Sequence, residues 1–319
     1  MSRSGGFPLN SAIELDQVSK SFGNQIAVDR LDLQVPEGAI YGFIGPNGSG
    51  KTTTLRMILR IFQPDSGTVR VLGEAKGKTA DDRLGYLPEE RGLYKRMKVR
   101  DVLAYYSRLK GKYDCRGEIQ RWLELMGATE WANKKIDALS KGMAQKIQFI
   151  AAVVAKPRLV ILDEPFSGLD PVNLESLKEA VISLRNSGTT ILFSTHDMEM
   201  AEKLCDTILM IFMGKKVLDG SLESIQANYP ADRVRIRFAD DNQDVPPLSG
   251  ITEVTSNGRF HYFRMQDPSR SQRLLQELSR ERVITHFEVV KPSLHDIFVS
   301  IARPRKVDDP GVRAESFDY

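Results

Sequence analysis

The sequence predicts an α/β protein: a mainly parallel sheet with a small antiparallel β subdomain at its start, followed by a smaller α+β domain. Three observations carry this. From Ile13 to about Gly220, short aliphatic runs alternate with stretches of helical spacing, the order produced by parallel strands and crossover helices. Those runs lack polar alternation, which suits strands covered on both faces. After about Ser221 the pattern changes to cleanly alternating strands such as "DRVRIRF".

Residues 1–10, "MSRSGGFPLN", read as a flexible leader with no apolar signal-peptide core. "AIELDQVSKSFGNQIAVDRLDLQV" alternates partially and is rich in turns, so it is expected as a small antiparallel sheet. The strand candidates of the α/β domain are "AIYGFI", "TVRVL", "RLGYL", "RLVIL", "TTILFS" and "DTILMIFM". The helix candidates are Thr52–Phe62, Val99–Lys110, Glu118–Met126, Ser140–Ala155, Pro171–Asn186 and Met198–Leu204. The main domain is thus expected over 11–220 and the accessory α+β domain over 221–303. In the latter, "GRFHYFRM" and "RVITHFEVV" add strands, and "SRSQRLLQELSRE" adds a helix. Ser293 and Asp296 form a capping box at the start of "PSLHDIFVSIA". The stretch 304–319 mixes charge, Pro and Gly, and is expected to be disordered.

Composition narrows the function classes. The 45 basic and 42 acidic residues nearly balance, at a net charge of +3, which argues against a dedicated nucleic-acid binder. The arginine row of "DRVRIRF" reads as the solvated side of a strand. Cys115 and Cys205 form no CxxC pair and read as reduced thiols. The longest apolar runs, within Ile147–Ala155 and Leu159–Leu162, fall far short of the ~20 residues that span a bilayer.

The chemistry is concentrated at strand ends. "GPNGSGKT", Gly45–Thr52, joins an apolar strand to a helix and fits GxxxxGK[ST]. Gly45, Gly48 and Gly50 let the chain curl around Pro46, Asn47 and Ser49 so that successive amides face one concavity. The helix that follows adds its positive end, and with it the amides of Lys51, Thr52 and Thr53. The Lys51 ammonium suits the outer phosphates of a nucleoside triphosphate, and the Thr52 hydroxyl suits Mg²⁺. "LVILDEP" is a buried-type strand that ends in two acids. Asp163 is placed to hold Mg²⁺ directly or through water, and Glu164 to polarise an attacking water. "TTILFSTHD" ends another such strand at His196, a candidate hydrogen-bond donor to the γ-phosphate.

"GPNGSGKTT", "LSKGMAQK", "LVILDEPFSGLD" and "STHD", in that order, resemble the ATP-binding subunit of an ABC transporter. The match covers about Ile13–Gly220. "LGYLPEERGLY" and the added C-terminal domain resemble the branch serving type-2 permeases in drug and sodium efflux. The resemblance implies a P-loop NTPase fold, the ABC ATPase domain, with a helical subdomain at about 90–156. It implies that Phe22 stacks on adenine, with a core-packed phenylalanine as the alternative. It also implies that Ser140 and Gly142, in the signature motif, address the γ-phosphate held by a second copy. Ser140 also reads as a helix N-cap, as does Asp170 in "SGLD", with Pro171 at the first helical position.

Two departures stand out. Lys141 and Met143 replace a glycine and the glutamine of the usual LSGGQ. Glu89 stands where the family has a glutamine near the metal. It is a third metal candidate beside Thr52 and Asp163, with a docking-surface role as the alternative.

The expected function is therefore an ATP- and Mg²⁺-dependent ATPase. It dimerises head to tail on ATP and drives a separate membrane permease from the cytoplasmic face of the cell membrane, for export. The alternative is a non-transport ABC-type adaptor with weak hydrolysis.

Overall fold

The computed structural model describes residues 11–75, 82–90, 92–240 and 250–302. The leader expected over 1–10 and the tail expected over 304–319 lie outside the described residues. The chain divides into two compact units, the first ending at Ile225 and the second starting at Gln226.

In the first unit, β1 (Ser11–Phe22) pairs antiparallel with β2 (Gln25–Pro36) on one side and β4 (Ser66–Val71) on the other. Including β4 here corrects the sequence reading, which grouped "TVRVL" with the parallel strands. The reason is visible in its burial. Val69 and Val71 are buried while Thr68 and Arg70 are exposed, so this strand has one wet face.

The central sheet contains β3 (Ile40–Ile44), β5 (Leu84–Leu87), β6 (Leu159–Asp163), β7 (Thr190–Thr195), β8 (Thr207–Phe212) and β9 (Lys215–Gly220). Their order is β5-β6-β7-β3-β8-β9. The first five run parallel and β9 is antiparallel to β8. β9, polar and half-exposed, carries no apolar run and was not among the expected strands.

Both faces of the sheet are covered, which explains the unbroken apolar runs. Val160 and Leu162 of β6 pack in one core cluster with residues of α2 (Val99–Leu109), α3 (Arg116–Leu125), α4 (Lys141–Val153) and α5 (Pro171–Asn186). Leu159 and Ile161 point into the other, with α1 (Lys51–Ile58) and the β1-β2-β4 sheet. At ~25 cal/mol per Å² of apolar surface, this two-sided burial is the main term holding the strands in register. α1 is shorter than its apolar pattern, because Arg60 takes φ +60° just after the C-cap Leu59. α6 (Met198–Leu204) follows β7, and α7 (Leu222–Gln226) follows β9.

The second unit holds a four-stranded antiparallel sheet of β10 (Arg233–Phe238), β11 (Ile251–Asn257), β12 (Phe260–Met265) and β13 (Ile284–Val290), in the order β11-β12-β10-β13. α8 (Ser271–Glu281) packs Leu274 and Leu278 against Val234, Ile236, Phe238 and Phe263. α9 (Leu294–Ala302) begins at the expected capping box. The Asp296 amide donates to the Ser293 hydroxyl at 3.1 Å, and the Ser293 amide donates back to the Asp296 carboxylate at 3.2 Å. Among the described residues, no helix is long and apolar enough to cross a membrane.

Candidate active site

The carboxyl ends of β3, β6 and β7 lie on one edge of the sheet. Register pairs Ile44 with Thr195 and Asp163 with Ser194. Three loops that are remote in sequence therefore meet there.

The loop after β3 is pinned from both sides. The Gly45 amide donates to the Thr195 carbonyl at 3.2 Å, and the Gly214 amide donates to the Ser49 carbonyl at 3.0 Å. Two glycines are required by space. A Cβ on Gly50, at φ +108°, would sit 2.4 Å from the Ala27 carbonyl oxygen, and one on Gly45 would sit 2.3 Å from that of Ile211. The first intrahelical bond of α1 runs from the Thr54 amide to the Gly50 carbonyl, and no side chain caps the helix start. The amides ahead of Thr54 thus keep the unsatisfied donors and partial positive charge of a helix N-terminus. Thr52 and Thr53 are half-buried in this turn, and Asn47 and Gly48 are exposed at the loop's tip.

Lys51 is buried beneath the loop. Its Nζ donates to the carbonyls of Gly45 at 2.6 Å and Pro46 at 3.1 Å, and stands 3.8 Å from Glu164 Oε1. Burial pulls its pKa down, against the opposing pull of Glu164, Asp163 and Glu89. These four charged residues of the expected site therefore share one electrostatic neighbourhood. Asp163 accepts from the Ser194 hydroxyl. Its carboxyl is pushed above its ordinary range by burial, an effect the Ser194 bond opposes and Glu164 reinforces. Glu89 is exposed.

Glu164 sits at φ +48°, a left-handed conformation unusual for a non-glycine residue. Its amide donates to the Ser194 carbonyl at 3.1 Å, and the Thr195 hydroxyl donates to its Oε2 at 3.3 Å. His196 Nδ1 lies 3.0 Å from Oε1. An ionised carboxylate only accepts, so Nδ1 carries the proton in that pair. Nε2 can then donate to a phosphate only from the imidazolium.

The donor set fits a polyanion with a hard cation. Among the described residues, the buried Ser49 hydroxyl has no partner and no side chain caps the α1 amides, and Thr52, Asp163 and Glu89 offer oxygen ligands of the kind Mg²⁺ takes. Phe22, 48% exposed, is not core-packed. It meets Phe62 edge-on at 5.5 Å, with Lys20 Nζ 5.7 Å from its ring centre. That leaves an aromatic surface open to a base.

Ser140 and Gly142 belong to a different neighbourhood. The Ser140 hydroxyl caps α4 by accepting from the Met143 amide at 3.3 Å. Gly142 abuts the turn where Asp170 caps α5, and a Cβ there would lie 2.8 Å from Asn173 Nδ2. Among the described residues, no hydrogen bond or ion pair ties either one to Gly45–Thr53. Lys141 is exposed and Met143 half-buried. Sequence reasoning overlooked Ser194, Thr195 and Gln145, which hold the carboxylate loop from neighbouring elements. Gln145 and Gln148, two amides set among the apolar residues of α4, were the available signal.

Comparison with known proteins follows the same division of the chain. A family model described as ABC transporter matches residues 28–167. One described as ATP-binding protein DrrA1-3-like, C-terminal domain, matches residues 220–302. The chain is 46% identical over 289 residues to the uncharacterized ABC transporter ATP-binding protein YhaQ of Bacillus subtilis, covering 90% of this chain and 97% of that one. It is 36% identical over 261 residues to the Nod factor export ATP-binding protein I of Paraburkholderia xenovorans, covering 79% and 86% respectively. Among solved structures, the ATP-binding subunit of an ABC transporter aligns with TM-score 0.63 at 28% identity, over 68% of this chain and 93% of that one. The cbiO1 subunit from Clostridium perfringens, at TM-score 0.60 and 19% identity, shares the fold over 68% of this chain and 91% of its own.

Proposed function

Because this chain belongs to the ATP-binding subunits of ABC transporters, and so is an ATPase, we propose that it is the motor of an exporter. In this reading, two copies close head to tail on two ATP and drive a separate membrane permease from the cytoplasmic face. The observation that carries it is the separation of the two half-sites within one chain. Lys51, Asp163 and Glu164 gather around the start of α1, while the α4 N-terminus capped by Ser140 is built into another part of the fold. A second copy brings the two together. Export is supported by the similarity to a Nod factor export ATP-binding protein, and the permease by family membership.

The amides of Gly45–Thr53 hold the phosphate oxygens, and Lys51 exchanges the Gly45 and Pro46 carbonyls for them. Thr52, Asp163 and Glu89 would hold Mg²⁺, which would neutralise phosphate charge. Glu164 accepts a proton from the attacking water, and His196 and Thr195 keep its carboxylate aimed. Phe22 stacks on the base. From the partner copy, the α4 N-terminus with Ser140 and Gly142 closes over the γ-phosphate.

The test is light scattering of Glu164→Gln with Mg-ATP. The expected result is a species of twice the monomer mass that retains unhydrolysed ATP. A monomer that holds ATP would overturn the sandwich.

A further inference from the structure

α4 contains a pair of side chains whose chemistry the helix itself does not need. Its residues Ile147, Phe149, Ile150 and Val153 pack in the core, yet Gln145 and Gln148 are 4% and 5% exposed among them. Burying an amide in apolar surroundings costs free energy unless it finds a partner. Both find one outside the helix. Gln145 Nε2 donates to the Pro165 carbonyl at 3.2 Å. Gln148 Nε2 donates to the carbonyls of Pro88 and Glu90, at 3.3 and 3.1 Å, on either side of Glu89.

Pro165 directly follows Glu164, whose φ of +48° is a conformation costing about 1–3 kcal/mol that persists only when its surroundings dictate it. Ahead of it, the Glu164 amide is held by the Ser194 carbonyl at 3.1 Å, and the Ser167 amide donates to the Glu164 carbonyl at 3.2 Å. The bond from Gln145 is the hold from the helical side. With Gln148 fastening the same helix to the Glu89 loop, α4 is fixed to both loops.

We infer that Gln145 is a positioning residue for hydrolysis: through the Pro165 carbonyl it sets the Glu164 carboxylate relative to α4. It stands five residues from Ser140, about 7.5 Å along the helix at 1.5 Å per residue. Seating the α4 N-terminus on a partner's nucleotide therefore bears directly on this chain's own base. The inference rests on the reading of Glu164 and Ser140 given above.

The experiment is a double-mutant cycle on the full-length protein, reading phosphate release. Gln145→Met keeps length and volume but removes the donor. Loss of one hydrogen bond's worth of alignment should lower kcat about 3–10-fold, with KM for ATP within about twofold. In a Glu164→Gln background, the same substitution should lower the residual rate no further. Should Gln145→Met slow both backgrounds equally, or leave kcat unchanged, the inference is overturned. Full turnover in Glu164→Gln alone would instead sink the assignment of the base. If Gln145→Met does not fold, Gln145→Ala, which removes the donor without burying a new polar group, should give the same pattern.

Discussion

Two regions of this chain gather charged side chains and differ in what surrounds them. On the outer face of the second unit's sheet, Arg233 pairs with Asp296 at 2.6 Å and Arg235 with Glu288 at 2.5 Å, and Arg264 with Glu253 at 3.1 Å. These side chains are partly exposed, and each cation has an acidic neighbour. At the strand ends of the first unit, Lys51 and Asp163 are buried, and the nearest carboxylate to Lys51 is 3.8 Å away. Its close contacts are neutral carbonyls. The alternation in sequence suggested an ordinary solvated face, but these arginines are half-buried, and among the described residues the Nε atoms of Arg235, Arg237 and Arg264 are buried without a hydrogen-bond partner, so the row is an ion-paired, partly covered face. Lys51, at the head of a helix whose first amides no side chain caps, is by contrast held at hydrogen-bond distance by backbone carbonyls.

The sharpest way to break this contrast is turnover. Glu164→Gln is expected to lower kcat by about 10²–10⁴, the usual worth of a general base, with ATP binding intact by calorimetry. Next is the aromatic surface. Phe22→Ala should weaken nucleotide binding by about 1–3 kcal/mol, some 5–150-fold in Kd, and leave kcat at saturation near its original value.

A smaller effect separates burial from function. Lys146 is buried, donates to the Met126 carbonyl at 3.1 Å and has its ring partner Trp131 at 6.0 Å. Burial lowers its pKa, against a weaker opposing pull from Asp170. The charged form is therefore disfavoured in the fold. That penalty is present at pH values below the folded pKa and fades as pH rises through it. Lys146→Met should raise the melting temperature at pH 7 by about 2–4 °C if the relief is near 1 kcal/mol, and the gain should vanish towards pH 11. The smallest effect belongs to the arginine face. Arg235→Gln should cost no more than about 1 kcal/mol in urea unfolding and should not change ATP turnover.

What could be read in the sequence was what is local in it. Gly45–Thr52 is a contiguous curl, Asp163 and Glu164 end one strand, and Asp170 and Ser140 cap the helices that begin right after them. The buried strands announced themselves because sheet and helices cover both their faces. What escaped depends on which segments meet. β4 is too short for its alternation to stand out among the aliphatic runs, and its pairing with Ile13 and Leu15 assigns it to the other sheet. β9 and β11 bury too little to leave a pattern. Ser194 looks like any strand serine until register sets it beside Asp163. Gln148 reads as an interruption of an apolar run until the Pro88 and Glu90 carbonyls are found at its end.

The backbone at Glu164 also sets a conflict between endurance and work. Glycine at this position would adopt the same left-handed turn without the steric penalty of a side chain, and asparagine would do so at less cost than glutamate. Both would leave the loop without its carboxylate. A library screened purely for survival on heating should therefore collect variants without the carboxylate at this codon, and engineers seeking a hardier ATPase would do well to hold it constant.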